Sequence, residues 1–452
     1  MRKQMSTIDV RPARLSQEKI SENFADAHPP LNSGNAIVEA NRCYFCYDAP
    51  CIKACPTAID IPNFIRKIST GNLKGSAKDI LSQNIMGGMC ARVCPTESLC
   101  EGACVRNTGE HQPVRIGDLQ RYSTDWFFEM GEAIFERGES TKKRIAVVGG
   151  GPAGLSCAHK LAVFGHDVVI FESRDKLSGL NEYGIAAYKT VNNFAQQEVD
   201  FILQIGGIEV KTNLSLGKEI KLDNLRQEFD AVFLGFGLGN VNSLGLEGKE
   251  LEGVFDAVEK ISELRQSKKL TDLQVGRRIV VIGGGSTAID IAVQYKKLGA
   301  EDVTIAYRRG PQQMKATWKE QEFAQNNGVR IKFWVSPKSL RSENGHVTGV
   351  ELERTEFNSD GKIIGTGEIR FIEADIVYRA IGQLIESDLD SKSKMPKIEN
   401  GKIVVNSTYE TSLPYVWAGG DCINSGEDLT VQAVEDGKQA GLAINKKLTF
   451  RQ

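Results

Sequence analysis

Two stretches of the chain share one pattern of hydrophobic positions. In each, a short run of β-branched and other apolar residues, Ile145–Val148 and Ile279–Ile282, ends in three consecutive glycines. The residues that follow are apolar at helical spacing. A continuous apolar run of this length is typical of a strand that is covered on both faces of a parallel sheet. The pattern therefore predicts the same succession twice: a buried strand, a tight turn and a helix.

Further apolar runs extend both regions. Val168–Phe171 ends at Glu172, and Val303–Ala306 ends at Tyr307. More predicted strands run into glycines at Ala231–Leu234, Glu373–Ile381 and Tyr415–Ala418. Strands that alternate with helical stretches indicate parallel sheets in an α/β fold. We expect two Rossmann-like dinucleotide-binding domains after residue 140.

The first glycine turn has the residue types that a dinucleotide needs. Gly149 permits a tight turn, Gly151 lets the backbone approach a pyrophosphate, and Gly154 lets the helix lie close to the strand. The helix N-terminus offers free N–H groups to the anion. Glu172 follows about 20 residues later, at the distance where an acid binds ribose hydroxyls.

The second glycine turn repeats this arrangement. It contains Gly283 and Gly285, with Ala288 in place of the third glycine, which is a permitted variant. Ser286 and Thr287 begin its helix. We therefore expect a second dinucleotide here, a nicotinamide cofactor.

The strand after this second turn ends in basic residues. Arg308 and Arg309 follow Tyr307, where the first domain has an acid. A basic residue at this position accommodates a 2'-phosphate, which favours NADP. Alternatively, the two arginines hold the pyrophosphate or lie on a solvated strand end.

Two glycine-containing segments indicate further cofactor contacts in the first domain. Gly420 and Asp421 follow a predicted strand, and Thr430 begins the next helix. An acid in this position can bind ribityl hydroxyls of a flavin, although it can also be an ordinary turn residue. The turn-rich segment around Gly179 and Leu180 is placed to lie along the same cofactor, or is a plain loop.

Cysteines crowd into the region before these domains. Eight of the ten cysteines follow the pattern Cys43-x2-Cys46-x4-Cys51-x3-Cys55-Pro56 and then Cys90-x3-Cys94-Pro95-x4-Cys100-x3-Cys104. Thiolates at these spacings, with a Cys-Pro in each run, are typical of [4Fe-4S] clusters. Two clusters need eight ligands. Structural zinc is the alternative, because four-cysteine zinc sites are common.

Composition narrows the function classes. The net charge of −2 gives no general attraction to nucleic acid or to an anionic membrane. The sequence has no apolar run near the roughly 20 residues of a membrane span, and no secretory signal. We therefore expect a cytoplasmic protein with no nucleic-acid or membrane partner. In a reducing compartment, clustered cysteines favour metal or cluster ligation over disulfides.

Together these motifs resemble a known family of flavoproteins. The two glycine turns, the terminal Gly-Gly-Asp and the preceding cysteine region are similar to the module shared by the glutamate synthase small subunit and dihydropyrimidine dehydrogenase. Gly179–Lys189 and Ile116–Gln120 more closely resemble the NAD-binding subunit of bacterial dihydropyrimidine dehydrogenase.

The resemblance implies a specific set of cluster ligands. One cluster would be held by Cys43, Cys46, Cys51 and Cys104. The other would be held by Cys55, Cys94, Cys100 and Gln120. Cys90 would then be a spare thiol, although the spacing alone makes it a ligand.

The resemblance also implies the remaining cofactors. FAD would occupy the first dinucleotide domain, with Lys189 near the flavin. The family's bacterial subunit is NAD-linked, and Lys315 stands where NADP-dependent relatives often have arginine. We therefore expect NAD in the second domain, against the argument from Arg308 and Arg309.

The resemblance predicts both the domains and the function. We expect a helical domain with two [4Fe-4S] clusters at 1–140, an FAD-binding domain at 141–250 and 379–452, and an NAD(P)-binding domain at 251–378. The expected function is to oxidise NADH through FAD and pass electrons through the clusters to a partner subunit, as part of a heterotetramer. That partner, containing FMN and iron-sulfur clusters, would reduce uracil or thymine reversibly to the 5,6-dihydropyrimidine. Two alternatives are a glutamate synthase small subunit that uses NADPH and a zinc-stabilised, nucleotide-binding redox sensor.

Overall fold

The chain forms two compact units, each assembled from separate segments. The structure is a computed structural model that describes residues 9–246, 251–385, 390 and 393–449. Within these residues, the small unit comprises 9–27, Tyr183–Val191, 241–246 and 251–383. The large unit comprises His28–Glu182, Asn192–Asn240, 384–385, 390 and 393–449.

The helices are concentrated at the N-terminal end and around the two main sheets. They are α1 (Gln17–Asn23), α2 (Ser33–Ala40), α3 (Pro50–Ala54), α4 (Ile61–Ser69), α5 (Leu73–Gln83), α6 (Gly87–Val93), α7 (Arg106–Glu110), α8 (Ile116–Met130), α9 (Pro152–Val163), α10 (Leu180–Tyr183), α11 (Phe194–Leu203), α12 (Leu222–Glu228), α13 (Ala257–Gln266), α14 (Ser286–Lys297), α15 (Trp318–Asn326) and α16 (Thr430–Thr449). No helix in the described parts of the chain has the length and apolar character that crossing a membrane requires.

The strands begin only at residue 144 within the described chain. They are β1 (Arg144–Val148), β2 (Asp167–Phe171), β3 (Ile208–Lys211), β4 (Ala231–Leu234), β5 (Asn240–Val241), β6 (Val254–Asp256), β7 (Arg278–Gly283), β8 (Asp302–Tyr307), β9 (Arg330–Phe333), β10 (Val335–Glu343), β11 (His346–Phe357), β12 (Ile363–Glu373), β13 (Ile376–Ala380), β14 (Gln383–Leu384), β15 (Ile398–Glu399), β16 (Lys402–Ile403) and β17 (Val416–Ala418). The prediction of an α/β fold with a helical N-terminal region is confirmed.

The large unit is built on a parallel sheet with strand order β17-β4-β1-β2-β3. The last four residues of β1 are fully buried, as its unbroken apolar run predicts. One hydrophobic cluster covers each face of this sheet. A separate apolar core, which includes Phe64, Ile65 and Leu119, lies among the helices that carry the cysteines.

The small unit contains the second predicted parallel sheet, with strand order β6-β13-β7-β8-β9. An antiparallel sheet, β10-β11-β12, is inserted between β9 and β13. Ile20 and Phe24 of the N-terminal segment lie in the core of this unit. Lys297 Nζ donates to Asn23 O at 2.8 Å.

The compact units group the chain differently from the predicted segments. The N-terminal segment up to Ala27 belongs to the small unit, although the sequence pattern places it with the cysteines. Tyr183–Val191 also belongs to the small unit. The predicted limits at residues 1, 250 and 452 lie outside the described residues, and the other limits stay predictions.

Gly437 permits close contact between α9 and α16. A Cβ at this position would lie 2.1 Å from Ala153 O. We expect Gly437→Ala to separate the helices and lower the free energy of unfolding by about 1–3 kcal/mol. The matched control is Gly109→Ala in α7, because a Cβ there meets nothing within 4 Å. Urea unfolding measures both variants, and equal stability of the two would contradict the prediction.

Candidate cluster and dinucleotide sites

The first cysteine group lines one pocket between helices. Cys43, Cys46, Cys51 and Cys104 all contribute to its wall. Cys43 lies after α2, Cys51 is in the first turn of α3, and Cys104 precedes α7. The structure thus brings together the four cysteines that the resemblance assigns to one cluster.

Two free thiols of this group, Cys43 and Cys51, have raised pKa values. Burial, followed by the charges of Cys43 and Cys104, raises the pKa of Cys51 to about 12. Burial also raises the pKa of Cys43, and Cys46 and Cys104 contribute. A cationic metal centre reverses this balance because it stabilises thiolates directly. Four converging thiols of this kind fit a [4Fe-4S] cluster.

The second cysteine group comprises Cys55, Cys90, Cys94 and Cys100, and Cys94 is the C-cap of α6. A hydrogen bond with Cys90, then burial, then the charges of Cys90, Cys100 and Cys55 raise the pKa of Cys94. Burial raises the pKa of Cys100, and Glu101 and Cys55 add to the shift. The structure therefore places Cys55, Cys90, Cys94 and Cys100 near one another.

Gln120 also reaches this region. It is buried on α8, and its Nε2 donates to Gly87 O of α6 at 2.7 Å. Cys90 thus contacts the second group directly, whereas Gln120 contacts the first residue of α6, and the choice between them as the fourth ligand stays a prediction. Among the described residues, no three His, Cys, Asp or Glu side chains converge as they would on a single metal ion. A cluster binds each ligand to a different iron.

The first glycine turn forms a close junction between β1 and α9. Gly149 has a φ of +102°, and a Cβ there would lie 2.4 Å from Gly235 O. A Cβ on Gly154 would lie 1.9 Å from Gly149 O. Gly151 forms the N-cap of α9. A Cβ added to Gly151 would have Gly179 Cα as its nearest neighbour, at 3.8 Å, so a ligand can approach the backbone here.

Glu172 closes this turn from the end of β2. Its Oε2 accepts from Gly150 N at 2.7 Å, and its Oε1 accepts from Arg174 N at 2.9 Å. The carboxylate is buried. This position at the strand end suits an acid that binds ribose hydroxyls.

Gly179 and the following residues lie against the same turn. Gly179 has a φ of +52°, and the exposed Leu180 begins α10. Asn181 is buried and accepts from Thr430 Oγ1 at 2.9 Å. Asn181 was not predicted, and its position next to a predicted cofactor segment is the only local signal in the sequence.

The C-terminal turn is held by another buried acid. Gly420 has a φ of +78°, and its N–H donates to Asp436 Oδ2 at 2.9 Å. Burial, with Asp428 next, raises the pKa of Asp421 to about 6. Asp436 was not predicted, because it lies within the helix and nothing in its spacing relates it to Gly420.

The second glycine turn repeats the first in the small unit. Gly283 has a φ of +145°, and a Cβ there would lie 2.1 Å from Ala380 O. Gly285 forms the N-cap of α14 and faces open space. Ser286 Oγ donates to Glu320 Oε2 at 3.0 Å, and Thr287 is half-buried. The exposed backbone at Gly285 fits an approaching phosphate.

The basic residues lie beyond this turn. The ring of Tyr307 contacts Gly284, since a Cβ on that glycine would lie 2.3 Å from the ring. Arg308 is exposed, Arg309 is half-buried and Lys315 is exposed. All three cationic groups are thus available at the end of β8 or shortly after it.

Lys189 belongs to an ionic network of the small unit. Its Nζ lies 2.7 Å from Asp290 Oδ1 and 3.3 Å from Glu320 Oε1. Burial alone would lower the pKa of Lys189, but the two acids raise it above its usual value. Tyr188 O–H also donates to Asp290 Oδ1 at 3.4 Å. The prediction that Lys189 lies near the flavin is not tested by these contacts. Asp290 and Glu320 were missed.

Known families match both parts of the chain. Residues 20–132 match the family described as dihydropyrimidine dehydrogenase domain II, 4Fe-4S cluster. Residues 143–437 match the family described as pyridine nucleotide-disulphide oxidoreductase. The second match covers more than half of the chain.

Curated relatives confirm the resemblance along nearly the whole chain. The glutamate synthase [NADPH] small chain of Escherichia coli (strain K12) is 33% identical, over 97% of this chain and 97% of the relative. The NAD-dependent dihydropyrimidine dehydrogenase subunit PreT of Salmonella typhimurium is also 33% identical, over 96% of this chain and 98% of the relative.

Solved structures share the fold at lower identity. FprA from Mycobacterium tuberculosis in complex with NADPH is 20% identical, with a TM-score of 0.56, over 68% of this chain and 84% of that chain. Thioredoxin reductase from T. acidophilum is 20% identical, with a TM-score of 0.53, over 68% of this chain and 99% of that chain. The chain therefore belongs to the pyridine nucleotide-disulphide oxidoreductase family, as an electron-transfer chain of the type of PreT and the glutamate synthase small chain, with a 4Fe-4S domain in front.

Proposed function

We propose that this chain is the electron-input subunit of an NAD-dependent dihydropyrimidine dehydrogenase. It takes electrons from NADH and passes them to a partner subunit that contains FMN and iron-sulfur clusters. That partner reduces uracil or thymine to the 5,6-dihydropyrimidine, reversibly, within a heterotetramer. The resemblance of Gly179–Lys189 and Ile116–Gln120 to the bacterial subunit favours this reaction.

The observation that carries the proposal is the junction between α6 and the first dinucleotide site. Asn181 Nδ2 lies 3.9 Å from Met86 Sδ, and Asn181 also accepts from Thr430 Oγ1. Met86 precedes α6, and Cys94 is the C-cap of that helix. The proposed flavin-binding residues are therefore joined by direct contacts to the start of α6, the helix that leads to the second cysteine group, within one unit.

Each group of residues has a distinct task in this proposal. Bound FAD exchanges electron pairs with a nicotinamide and single electrons with clusters, which is chemistry that no side chain supplies. Gly149 and Gly151 would leave the backbone open to the pyrophosphate and Gly154 lets α9 lie close to β1, while Glu172 and Asp421 would hold hydroxyl groups of the FAD. Lys189 stays protonated, and its two acids hold the ammonium group in place.

The positions of the two cysteine groups suggest an order of transfer. The second group adjoins α6 and, through it, the proposed flavin site. The first group adjoins the surface, where Tyr44 is 60% exposed and Tyr47 is fully exposed. Electrons would pass from the flavin to the second cluster, then to the first cluster, and then to the partner.

A glutamate synthase small subunit is the second candidate, because that relative matches this chain at the same 33% identity. It would use NADPH and a large glutamine-hydrolysing partner. The two functions predict different copurifying proteins, since the pyrimidine-reducing partner is several times smaller. A zinc-stabilised redox sensor is the alternative from another class, and zinc without iron or sulfide would support it.

Iron content tests the cluster assignment. Anaerobically purified protein should contain about eight irons per FAD, since two clusters of four irons are expected. Cys46→Ser should remove about half of the iron, because it removes a ligand of one cluster. Cys90→Ser should retain all of it if Gln120 is the fourth ligand. Loss of half of the iron in Cys90→Ser would instead make Cys90 the ligand.

Turnover measurements test whether pyrimidine reduction requires the partner subunit. The isolated chain should oxidise NADH with artificial electron acceptors but should not reduce uracil or thymine. Adding the copurifying partner should restore pyrimidine reduction. Measurable uracil reduction by the isolated chain would contradict the assignment, and glutamate formation with the partner would support the second candidate.

Nucleotide preference tests the choice of NAD. We expect a higher kcat/KM for NADH than for NADPH. Lys315→Arg should raise kcat/KM for NADPH several-fold, because the guanidinium binds a phosphate with two parallel hydrogen bonds. Lys332→Arg, an exposed site on β9, is the control and should change neither value. A preference of the wild-type protein for NADPH would contradict the assignment of NAD as its cofactor.

A further inference from the structure

Thr57 contacts a predicted cluster ligand. It lies in the turn after Cys55, its side chain is fully buried, and its Oγ1 is 3.3 Å from Cys55 Sγ. Ala58 N donates to Cys55 O at 2.9 Å and closes the turn. The hydroxyl is thus held beside the sulfur by the local backbone.

Cluster binding would fix the direction of this hydrogen bond. Between a free thiol and a hydroxyl, either group can donate. Cys55 has no proton once it binds iron as a thiolate, so Thr57 must then be the donor. A hydrogen bond to a ligand sulfur stabilises the more negative, reduced cluster and raises its reduction potential.

Lys438 reaches the same turn from α16. Its Nζ donates to Thr57 O at 3.2 Å and to Gln83 O at 3.0 Å. The side chain is 12% exposed and also pairs with Glu435 Oε2 at 2.6 Å. Because Glu435 offsets much of the charge, the main effect of Lys438 is to hold these carbonyls in place.

These two carbonyls belong to the chain segments that lead to the cysteines of the second group. Thr57 follows Cys55, and Gln83 ends α5, just before the segment that leads through α6 to Cys94. The helix that carries Lys438 begins at Thr430, a proposed flavin-binding residue. One lysine therefore links the proposed flavin helix to both chain segments that supply ligands on this side.

We propose that Thr57 and Lys438 are positioning residues that set the reduction potential of the second cluster. Thr57 donates to the Cys55 sulfur, and Lys438 fixes the turn from which Thr57 donates. The raised potential favours electron transfer out of the flavin. This inference rests on the proposed function, because it requires a cluster bound by Cys55.

Redox titration of the full chain, monitored by electron paramagnetic resonance, tests the inference. The signal that Cys94→Ser lacks identifies the second cluster. Thr57→Val should weaken the electron affinity of that cluster about tenfold, a shift of about 59 mV to lower potential for one electron. Thr57→Ser keeps the hydroxyl and should restore the wild-type potential. Iron content should stay at about eight per FAD in both variants.

Lys438→Met should also lower the reduction potential of the same cluster, and this shift should not exceed the shift in Thr57→Val. The double variant should shift it no further than Thr57→Val alone, because Lys438 acts through Thr57. Lys446→Met, an exposed site on the same helix, is the control and should leave the potential unchanged.

Each other outcome has a defined meaning. Unchanged potentials in Thr57→Val with both clusters present would overturn this inference and leave the proposed function intact. If Thr57→Val loses iron, Thr57→Ala provides the same test, and an unchanged potential there also overturns the inference. Absence of cluster signals in the wild-type chain would instead refute the proposed function.

Discussion

The large unit depends on one buried carboxyl group, that of Glu198 on α11. Its Oε1 accepts from Gly88 N at 2.9 Å and from Met89 N at 3.0 Å, in the first turn of α6. A Cβ on Gly88 would lie 2.5 Å from Phe194 Cζ, so the two helices meet without room for a side chain. Burial raises the pKa of Glu198 to about 8. Without this acceptor, each of the two N–H groups would be buried without a hydrogen bond, which costs about 1–3 kcal/mol of folding free energy per group.

The position of α6 affects both predicted redox sites in the large unit. Gly87 at its start accepts from Gln120, and Cys94 is its C-cap. Met86, immediately before it, contacts Asn181. A shift of α6 would therefore move a predicted cluster ligand and a contact of the proposed flavin site together. Electron transfer and reduction potential both depend on such positions, so Glu198 stabilises an arrangement as well as a fold.

The fold could be predicted because its signals are local. The runs before Gly149 and Gly283 give strand, turn and helix within a dozen residues, and both turns form as expected. The cysteine spacing also indicated clusters, but spacing alone treats Cys90 as equivalent to Cys94. The residues that were missed make contacts at long range: Glu198 lies 110 residues from Gly88, and Lys438 lies 381 residues from Thr57. Periodicity carries no information about such pairs. The same limit explains the N-terminal segment, whose Ile20 and Phe24 pack into the small unit.

We infer that the reaction class and the final substrate are determined by different parts of the molecule. The glutamate synthase small chain and PreT have different substrates in their names, yet each is 33% identical to this chain over nearly its full length. Glycine turns and cysteine groups serve nucleotide, flavin and clusters in the same way whatever receives the electrons. Under the proposed function, the partner would contact exposed surface such as that around Tyr44 and Tyr47, and this surface would determine the acceptor. One-electron transfer to a partner needs proximity and a suitable potential but no substrate pocket, so the same types of cofactor site can serve different acceptors.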